Sequence, residues 1–521
     1  MLSPALFEPV TAEHCIVYRN LIALMEHLMN APAALNDLKQ RLYEVADLNS
    51  AGAVLNWDLS TYMPPGGAPA RGRALATLAR LSHEKFTATE VGHLLDSLRA
   101  YEESLPYDDD DAALIRVTRH EYEKEVKVPA ELVSRINEHA ALLYSKWTEA
   151  RPANDFVGLV DDLEVTRELS IALAECFPGY AHIADPLIDF SDYGMTAESV
   201  RAVFAELREQ LVPIVRAINA QAEVDDWPLH QHYPEADQLA FGLDVIRDYG
   251  YDFNRGRQDK THHPFMTRFA WGDCRITTRV KEDDLGDALF STLHEAGHAM
   301  YEQGTAEAYD GTPLGGGTSS GIHESQSRTW ENQVGRSRGF WNHYYPKLQA
   351  AFPQQLGHVS EDAFYRAINK VKPSLIRTDA DEVTYNLHVM IRFDLELQLL
   401  EGTLAIKDLP EAWNARYQSD LGIVAPDDRD GVLQDVHWFG GLIGGAFQGY
   451  TLGNLFAAQF FNAAQKAHPE IPAQIAQGQF GTLHGWLKEN IYQHGSKFTA
   501  AELVQRVTGG PLEVAPLIGY I

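Results

Sequence analysis

The chain has 521 residues, of which 45% are hydrophobic, and it carries a net charge of −30 with a pI of about 5.0. This composition supports a large buried core and argues against nucleic-acid binding, which favours basic surfaces. Three scattered cysteines, Cys15, Cys176 and Cys274, exclude a disulfide framework and a Cys-x-x-Cys metal site, so we expect a reducing, cytoplasmic location.

The N-terminal region gives no sign of export or membrane attachment. It lacks the basic flank and long apolar stretch of a signal peptide. No apolar run in the chain reaches the roughly 18 residues that span a bilayer. A plausible natural start lies at Met29, and no flexible linker or repeat follows it. We therefore predict an N-terminal extension of uncertain role over 1–28 and a single domain over 29–521.

Helical periodicity dominates the chain, because apolar residues recur at spacings of three and four. The predicted helical segments are 35–48, 112–124, 130–151, 157–176, 197–223, 363–371, 383–400 and 452–467. Short breakers rich in proline and glycine separate them. The pattern predicts one large, mainly α-helical body rather than several small domains.

One segment has the alternation of a β-strand. Over 269–280, Arg275, Thr277 and Arg279 alternate with Ile276, Thr278 and Val280. We therefore predict one strand there, as part of a small sheet that immediately precedes a helix starting near residue 285.

The most informative motif is H-E-x-x-H, formed by His294, Glu295 and His298 within that helix. Residues four apart lie one turn apart on the same helical face, so both imidazoles can bind one metal ion. Glu295 lies beside them, where a carboxylate can accept a proton from the attacking water. Asp283 and Asp284 suit the start of the helix, and Gly304 suits its end.

A catalytic zinc ion usually has three protein ligands, so a third ligand is expected. The sequence after His298 excludes a metzincin-type third histidine. Glu302 lies one turn further along the same helix, but three ligands on one straight helix rarely surround an ion. Glu324 is the preferred candidate, because the glycine-rich loop over 315–321 allows a second helix to fold back on the first. His323 is the rival, since adjacent helical residues point about 100° apart and only one can face the metal.

Six further patterns appear in order along the chain. They are W-D-L-S-T-Y-M-P at 57–64, H-P-F at 263–265, D-x-R-x-T at 273–277, H-E-S-Q at 323–326, I-R-x-x-A-D at 376–381 and G-x-x-Q-D-x-H-W at 431–438. Together with H-E-x-x-H, they resemble the signature of the carboxypeptidase Taq family of metallocarboxypeptidases. The resemblance implies a zincin-like fold with a substrate groove, Glu324 as third metal ligand, and a homodimer.

Carboxypeptidase activity requires a group that binds the terminal carboxylate, and arginine is suited to this by its planar, bidentate geometry. Arg377, in the I-R-x-x-A-D pattern, is the preferred candidate; its alternative is an ion pair with Asp379 or Asp381. Arg392 is the second candidate, and its alternative is a pair with Asp394 or Glu396.

Four other residues are candidates for contact with substrate. His437 and Tyr450 lie in or next to the glycine-rich run over 438–453, which is typical of a loop close to a ligand, and either can donate to an oxyanion. The alternatives are a buried, hydrogen-bonded histidine for His437 and a packing aromatic side chain for Tyr450. His263 either contacts substrate or holds a neighbouring loop. Arg275 is a candidate for substrate contact, although a role in holding its strand together with Asp273 is favoured.

The sequence thus predicts a zinc-dependent carboxypeptidase that releases single C-terminal residues from peptides, with Glu295 as general base and acid. Cobalt is an alternative metal, because similar ligands suit both ions. The strand before the metal helix is expected to offer its edge to the peptide backbone, as is common in zinc peptidases. Two other interpretations remain: an oligopeptidase with the same metal chemistry, and a non-catalytic helical scaffold.

Overall fold

The computed structural model describes the backbone of residues 12–521 and the side chains of residues 30–521. The extension predicted over 1–28 lies outside the residues whose side chains are described. Within residues 12–521, nine α-helices precede the sheet: α1 (Ala12–Thr61), α2 (Ala68–Phe86), α3 (Thr89–Ser104), α4 (Asp110–Lys127), α5 (Ala130–Ala153), α6 (Val160–Glu175), α7 (Asp185–Ser191), α8 (Ala197–Asn219) and α9 (Glu235–Tyr249).

A small three-stranded sheet follows, made of β1 (Gln258–Lys260), β2 (Met266–Ala270) and β3 (Asp273–Thr278). The strand order is β1-β3-β2; β3 pairs in parallel with β1 and antiparallel with β2. The single strand predicted over 269–280 was wrong in extent, because a turn at Trp271 and Gly272 divides the segment between β2 and β3. Since β3 is paired on both sides, the expectation that it offers an edge to substrate was also wrong.

The remaining helices carry the candidate site. They are α10 (Leu285–Gly304), α11 (Ser320–Arg328), α12 (Arg338–Ala351), α13 (Pro353–Leu356), α14 (Glu361–Ile368), α15 (Tyr385–Glu401), α16 (Leu409–Asp420), α17 (His437–Gly440), α18 (Gln448–Ala467), α19 (Ile471–Ile475), α20 (Gly481–Asn490), α21 (Ala500–Thr508) and α22 (Ala515–Tyr520). A π-helical segment, Thr329–Val334, continues α11.

The predicted mainly α-helical architecture with a small sheet beside the H-E-x-x-H helix is confirmed. Thr278 at the end of β3 is hydrogen-bonded to Thr292 of α10, with 3.3 Å between the hydroxyl oxygens. All eight predicted helical segments lie on helices, although those over 197–223 and 363–371 end early, at Asn219 and Ile368. No helix in the described part of the chain is long and apolar enough to cross a membrane.

Local capping explains where several helices begin. The Asp284 carboxylate accepts from the backbone N–H of Gly286 at 3.0 Å and starts α10, as predicted. Thr196 and Ser199 form a capping box at the start of α8. Buried apolar side chains form two clusters: a larger one across α5–α22, and a smaller one among α1, α3 and α4.

Candidate metal centre and its cleft

Helices α10 and α11 approach each other very closely, and this contact assembles the candidate metal centre. A Cβ atom added at Gly297 of α10 would lie only 2.6 Å from the backbone oxygen of Gln326 and from Cα of Ser327. Only glycine permits this approach, which explains a glycine in the middle of a helix, where it costs about 1 kcal/mol relative to alanine. The contact places Glu324 opposite the two histidines.

His294, His298 and Glu324 converge on one point. One ligand atom from each lies within 4.8 Å of the others. Oε2 of Glu324 is 3.5 Å from Nε2 of His294 and 3.4 Å from Nε2 of His298. Two imidazole nitrogens and one carboxylate oxygen are a set typical of catalytic zinc sites.

A carboxylate orients His294. Oε2 of Glu331, in the π-helical segment, lies 2.9 Å from Nδ1 of His294, which leaves Nε2 facing Glu324. Arg328 donates to both carboxylates, at 2.8 Å to Glu324 and 3.0 Å to Glu331. Such partners fix the tautomer and direction of a metal-binding histidine.

A second chain of hydrogen bonds orients His298. Its Nδ1 lies 2.6 Å from Nδ1 of His323, and Nε2 of His323 lies 2.8 Å from Oε1 of Glu302. Both ring nitrogens of His323 are therefore engaged, which argues against its role as a rival ligand. Glu302 is likewise held by His323 and by the backbone N–H of Gly317 at 3.0 Å, rather than directed at the metal centre.

Helix α11 is anchored at its first turn by a buried carboxylate. Asp192 accepts from the backbone N–H of Gly321 at 2.7 Å and from Nε2 of Gln448 at 3.0 Å. Ser319, the residue directly before α11, has a positive φ of 40°, an uncommon conformation for a residue with a side chain. Asp192 therefore helps to hold the start of the helix that presents Glu324.

Glu295 lies at the floor of a cleft of about 890 Å³, together with His294, His263, Arg377 and Tyr385. The Glu295 side chain is buried, and this burial raises the pKa of its carboxyl from the usual 4.5 to about 7. A cation held by the neighbouring ligands would favour the charged form and lower this pKa again.

Arg377, the candidate carboxylate-binding arginine, lines this cleft, but it forms an ion pair with neither Asp379 nor Asp381. Nε and Nη2 of Arg377 donate to the two oxygens of Asp435, at 2.7 and 3.2 Å, and Nη1 donates to the Tyr385 hydroxyl at 3.0 Å. The predicted alternative pairs with Asp379 or Asp381 are thus replaced by a pair 58 residues away in sequence.

Asp435 also binds the second candidate arginine and a histidine. Arg392 donates to it at 2.8 Å, and Nδ1 of His437 lies 2.6 Å away. The Arg392 side chain is 0% exposed and donates to Gln434 as well, so direct contact with a substrate is excluded. The surrounding cations hold the pKa of Asp435 far below its usual range despite burial.

Tyr450 lies in the first turn of α18 instead of in the loop predicted over 438–453. A Cβ atom at Gly453, one turn further along α18, would lie 2.5 Å from Cγ of Glu324, so this face of the helix packs on Glu324. The Tyr450 hydroxyl is 3.3 Å from Nε2 of His437. Burial raises the pKa of Tyr450 to about 12, so the phenol stays protonated and can donate.

The chain is similar to known proteins along most of its length. The model for carboxypeptidase Taq (M32) metallopeptidases matches residues 37–521. The chain belongs to this family. It is 41% identical to thermostable carboxypeptidase 1 of Thermus thermophilus over 95% of this chain and 98% of that protein. It is 36% identical to carboxypeptidase 1 of Bacillus subtilis, over 92% and 95%. The crystal structure of the M32 carboxypeptidase from Deinococcus radiodurans R1 superposes with a TM-score of 0.91 at 51% identity, over 94% of this chain and 98% of that one.

As an M32 carboxypeptidase, the chain is a metal-dependent hydrolase of peptides.

The predicted substrate-contact residues His263 and Arg275 differ in their position relative to the cleft: His263 lines it and Arg275 does not. His263 is exposed at the mouth of the cleft. Arg275 is paired bidentately with Asp273 at 2.8 Å and stacks 4.5 Å above Trp57. Arg275 is not among the described residues that line this cleft, which supports the role of holding its strand.

Sequence reasoning missed several residues that surround the candidate site. Glu331 and Arg328 follow Glu324 by seven and four positions, a helical spacing that would have placed all three on one face. Asp435 lies within a recognised motif, but its two arginine partners are distant in sequence. Tyr385 carried no pattern of its own.

Proposed function

We propose that this M32 enzyme is a zinc-dependent carboxypeptidase that releases single C-terminal residues from peptides with a free carboxylate. The observation that carries the proposal is the shared cleft. His294, Glu295 and Arg377 all line it. A peptide whose terminal carboxylate binds Arg377 therefore presents its last peptide bond to Glu295 and the metal centre.

Zinc is the proposed metal, bound by His294, His298 and Glu324, with cobalt as the alternative. The fit rests on converging nitrogen and oxygen donors whose other atoms are already fixed by Glu331, His323 and Arg328. When bound, such an ion polarises a carbonyl and lowers the pKa of water.

Glu295 is the proposed general base and acid. It accepts the proton of the attacking water and passes it to the leaving amine. Its side chain is buried beside the proposed ligands and lines the cleft. Tyr450, with His437 beside it, is the proposed donor to the developing oxyanion, a contribution of roughly 3 kcal/mol in comparable sites.

Arg377 is the proposed carboxylate-binding residue. A guanidinium has five N–H donors. Three of them are engaged by Asp435 and Tyr385, which leaves two for the substrate. Because Asp435 is shared with Arg392, one carboxylate faces two guanidinium groups, and the local charge favours an incoming anion.

The remaining parts of the proposal concern the setting of the enzyme. We infer one catalytic domain over 29–521, a cytoplasmic location, a homodimer, and no nucleic-acid partner. The free thiols of Cys176 and Cys274 and the net charge of −30 support a reducing location and the absence of nucleic acid. Family membership supports the homodimer. His263 is proposed to contact substrate at the mouth of the cleft, and Arg275 to support β3.

Mass spectrometry of one peptide in two forms tests the central proposal. The zinc-loaded enzyme is incubated with the free acid and with the C-terminal amide. A ladder shortened from the C-terminus in the free acid alone is the expected result. Internal cleavage of both forms would instead identify an oligopeptidase. Zinc and cobalt are distinguished by metal analysis of the purified enzyme and by reactivation of the chelated enzyme with each ion.

A further inference from the structure

A second cavity, of about 560 Å³, lies beside the Asp435 cluster and is almost entirely apolar. Its wall includes the glycine-rich segment 440–446. The apolar side chains that line it come from four parts of the chain: Tyr144, Leu173, Leu187, Phe190, Val436 and Leu442. No Asp, Glu, Lys or Arg is among its described lining residues.

Backbone rather than side chains forms one wall of this cavity. Gly444 and Gly445 have positive φ values of 101° and 80°, which favour glycine. A Cβ atom at Gly445 would collide with the backbone oxygen of Leu187. The segment 440–446 therefore packs directly against α7, and its glycines place no side chain in the cavity.

The aromatic side chains of the cavity are poorly covered by the rest of the chain. Tyr144 and Phe190 expose 48% and 43% of their surface. Clustered exposed apolar surface in a concave site is typical of ligand binding. The cavity thus offers apolar contact area to an occupant that is itself apolar.

Hydrogen bonds link the cavity to the proposed catalytic cleft, although no described residue lines both. His437 lines the cavity, and its Nδ1 shares Oδ1 of Asp435 with Nη2 of Arg377. One carboxylate group therefore separates the cavity from the arginine proposed to bind the terminal carboxylate. Ser191 lines both this cavity and the space bordered by His298 and Glu324.

The side chain of the last residue of a peptide starts one carbon atom from its terminal carboxylate. We propose that this cavity is the subsite for that side chain, and that it selects apolar and aromatic C-terminal residues over charged ones. The inference rests on the proposed carboxypeptidase function and on Arg377 as the carboxylate-binding residue.

Two series of free-acid tetrapeptides test the subsite: Ala-Gly-Ala-X and Ala-Gly-X-Ala, with X as Phe, Leu, Ala, Arg or Asp. In the first series we expect kcat/KM for Phe and Leu to exceed that for Asp by ~10- to 100-fold, the range that differences in pocket contacts give. The second series should show a much smaller spread.

The variant Leu442→Asp places a carboxylate in the cavity at a half-buried position that tolerates a polar side chain. It should lower the ratio of kcat/KM for C-terminal Phe over Arg by at least ~10-fold, because a charge attracts its opposite and disfavours apolar groups. The matched control is Val424→Asp, at an exposed valine that does not line the cavity.

The outcomes separate the two proposals. Equal cleavage of all C-terminal residues by the wild type would overturn the subsite and leave the carboxypeptidase standing. A change confined to the penultimate series would also overturn it. A Leu442→Asp variant with unchanged selectivity but an altered oligomeric state in light scattering would identify the cavity as a subunit contact instead. Cleavage of no peptide in either series would overturn the proposed function, and this inference with it.

Discussion

Nδ1 of His323 lies 2.6 Å from Nδ1 of His298, so the residue that directly precedes the proposed ligand Glu324 serves the imidazole of another ligand. The far nitrogen of His323 is held by Glu302 at 2.8 Å. In this hydrogen-bonded chain, Nδ1–H of His298 can donate to Nδ1 of His323, and Nε2–H of His323 can donate to Glu302. Nε2 of His298 then remains unprotonated and available to a metal ion.

Removal of this orienting chain should weaken metal binding without removing a ligand. We expect His323→Ala to lower zinc affinity by roughly 10- to 100-fold, as loss of such partners does at other sites. Glu302→Gln, which keeps a hydrogen-bonding side chain but loses the charge, should have a smaller effect. Competition with a chelator of known affinity measures both variants, with Glu324→Ala as the variant that loses the metal. Complete loss of zinc from His323→Ala would make His323 a ligand.

Glu295→Gln should separate metal binding from turnover. The amide fills the same space but cannot accept the proton, so we expect kcat to fall by roughly 10²- to 10⁴-fold. Zinc content, measured by elemental analysis, should stay near that of the wild type because the ligands are unchanged. A variant with nearly normal kcat would require a different base.

Much of the fold and of the metal centre could be predicted because the determining patterns are local. Periodicity indicated the helices, and the spacing of His294 and His298 placed two imidazoles on one face. The pairing of Arg377 with Asp435 could not be predicted, because 58 residues separate them and neither segment is periodic. The predicted strand over 269–280 was misjudged for another reason. The alternation covers only 275–280, and the segment before it crosses a two-residue turn at Trp271 and Gly272 that alternation does not reveal.

Residues with no chemical motif also escaped prediction. Asp192 precedes the α11 helix by more than 120 residues, and only the folded structure brings its carboxylate to the N–H of Gly321. Tyr450 was expected in a loop because glycines surround it, yet those glycines allow α18 to pack against Glu324. A cluster of glycines is typical both of helices that pack closely together and of loops that lie close to a ligand, so the sequence does not distinguish the two.

The anchor at Asp192 gives a prediction that distinguishes positioning from simple stability. Asp192→Ala leaves the buried N–H of Gly321 without its acceptor and removes one of the three acceptors of Gln448 Nε2, which should cost about 1–3 kcal/mol of unfolding free energy. If Asp192 also positions α11, zinc affinity should fall, and excess zinc should restore activity. Asp192→Asn retains one acceptor oxygen and should recover much of both. Lower thermal stability with unchanged zinc affinity would limit Asp192 to a structural role.

Asp435→Asn should disturb the carboxylate-binding side of the cleft. The change leaves Arg377 and Arg392 close together without their shared anion, and loss of one partner in a buried ion pair typically costs about 3–5 kcal/mol. We expect a lower melting temperature, a higher KM for free-acid peptides, and reduced discrimination against the amide. The exposed Asp362→Asn is the matched control. Unchanged discrimination in a folded variant would remove Asp435 from substrate recognition.

Glu396 predicts a pH dependence of stability that is separate from catalysis. It is fully buried on α15, where Nε1 of Trp438 donates to it at 2.9 Å, and burial raises its pKa from the usual 4.5 to about 8. Between these values the folded protein keeps a proton that the unfolded chain releases. The stabilisation is complete below pH 4.5 and is lost as the pH rises towards 8.

Glu396→Gln should remove this dependence, because its amide does not titrate and still accepts from Trp438. Relative to the variant, the wild type should lose stability between pH 5 and 8 by roughly 1.4 kcal/mol per pH unit at most. Urea denaturation of both zinc-loaded proteins at several pH values measures the difference, with the exposed Glu209→Gln as control. Parallel curves for wild type and Glu396→Gln would show that Glu396 is ionised in the folded protein across this range.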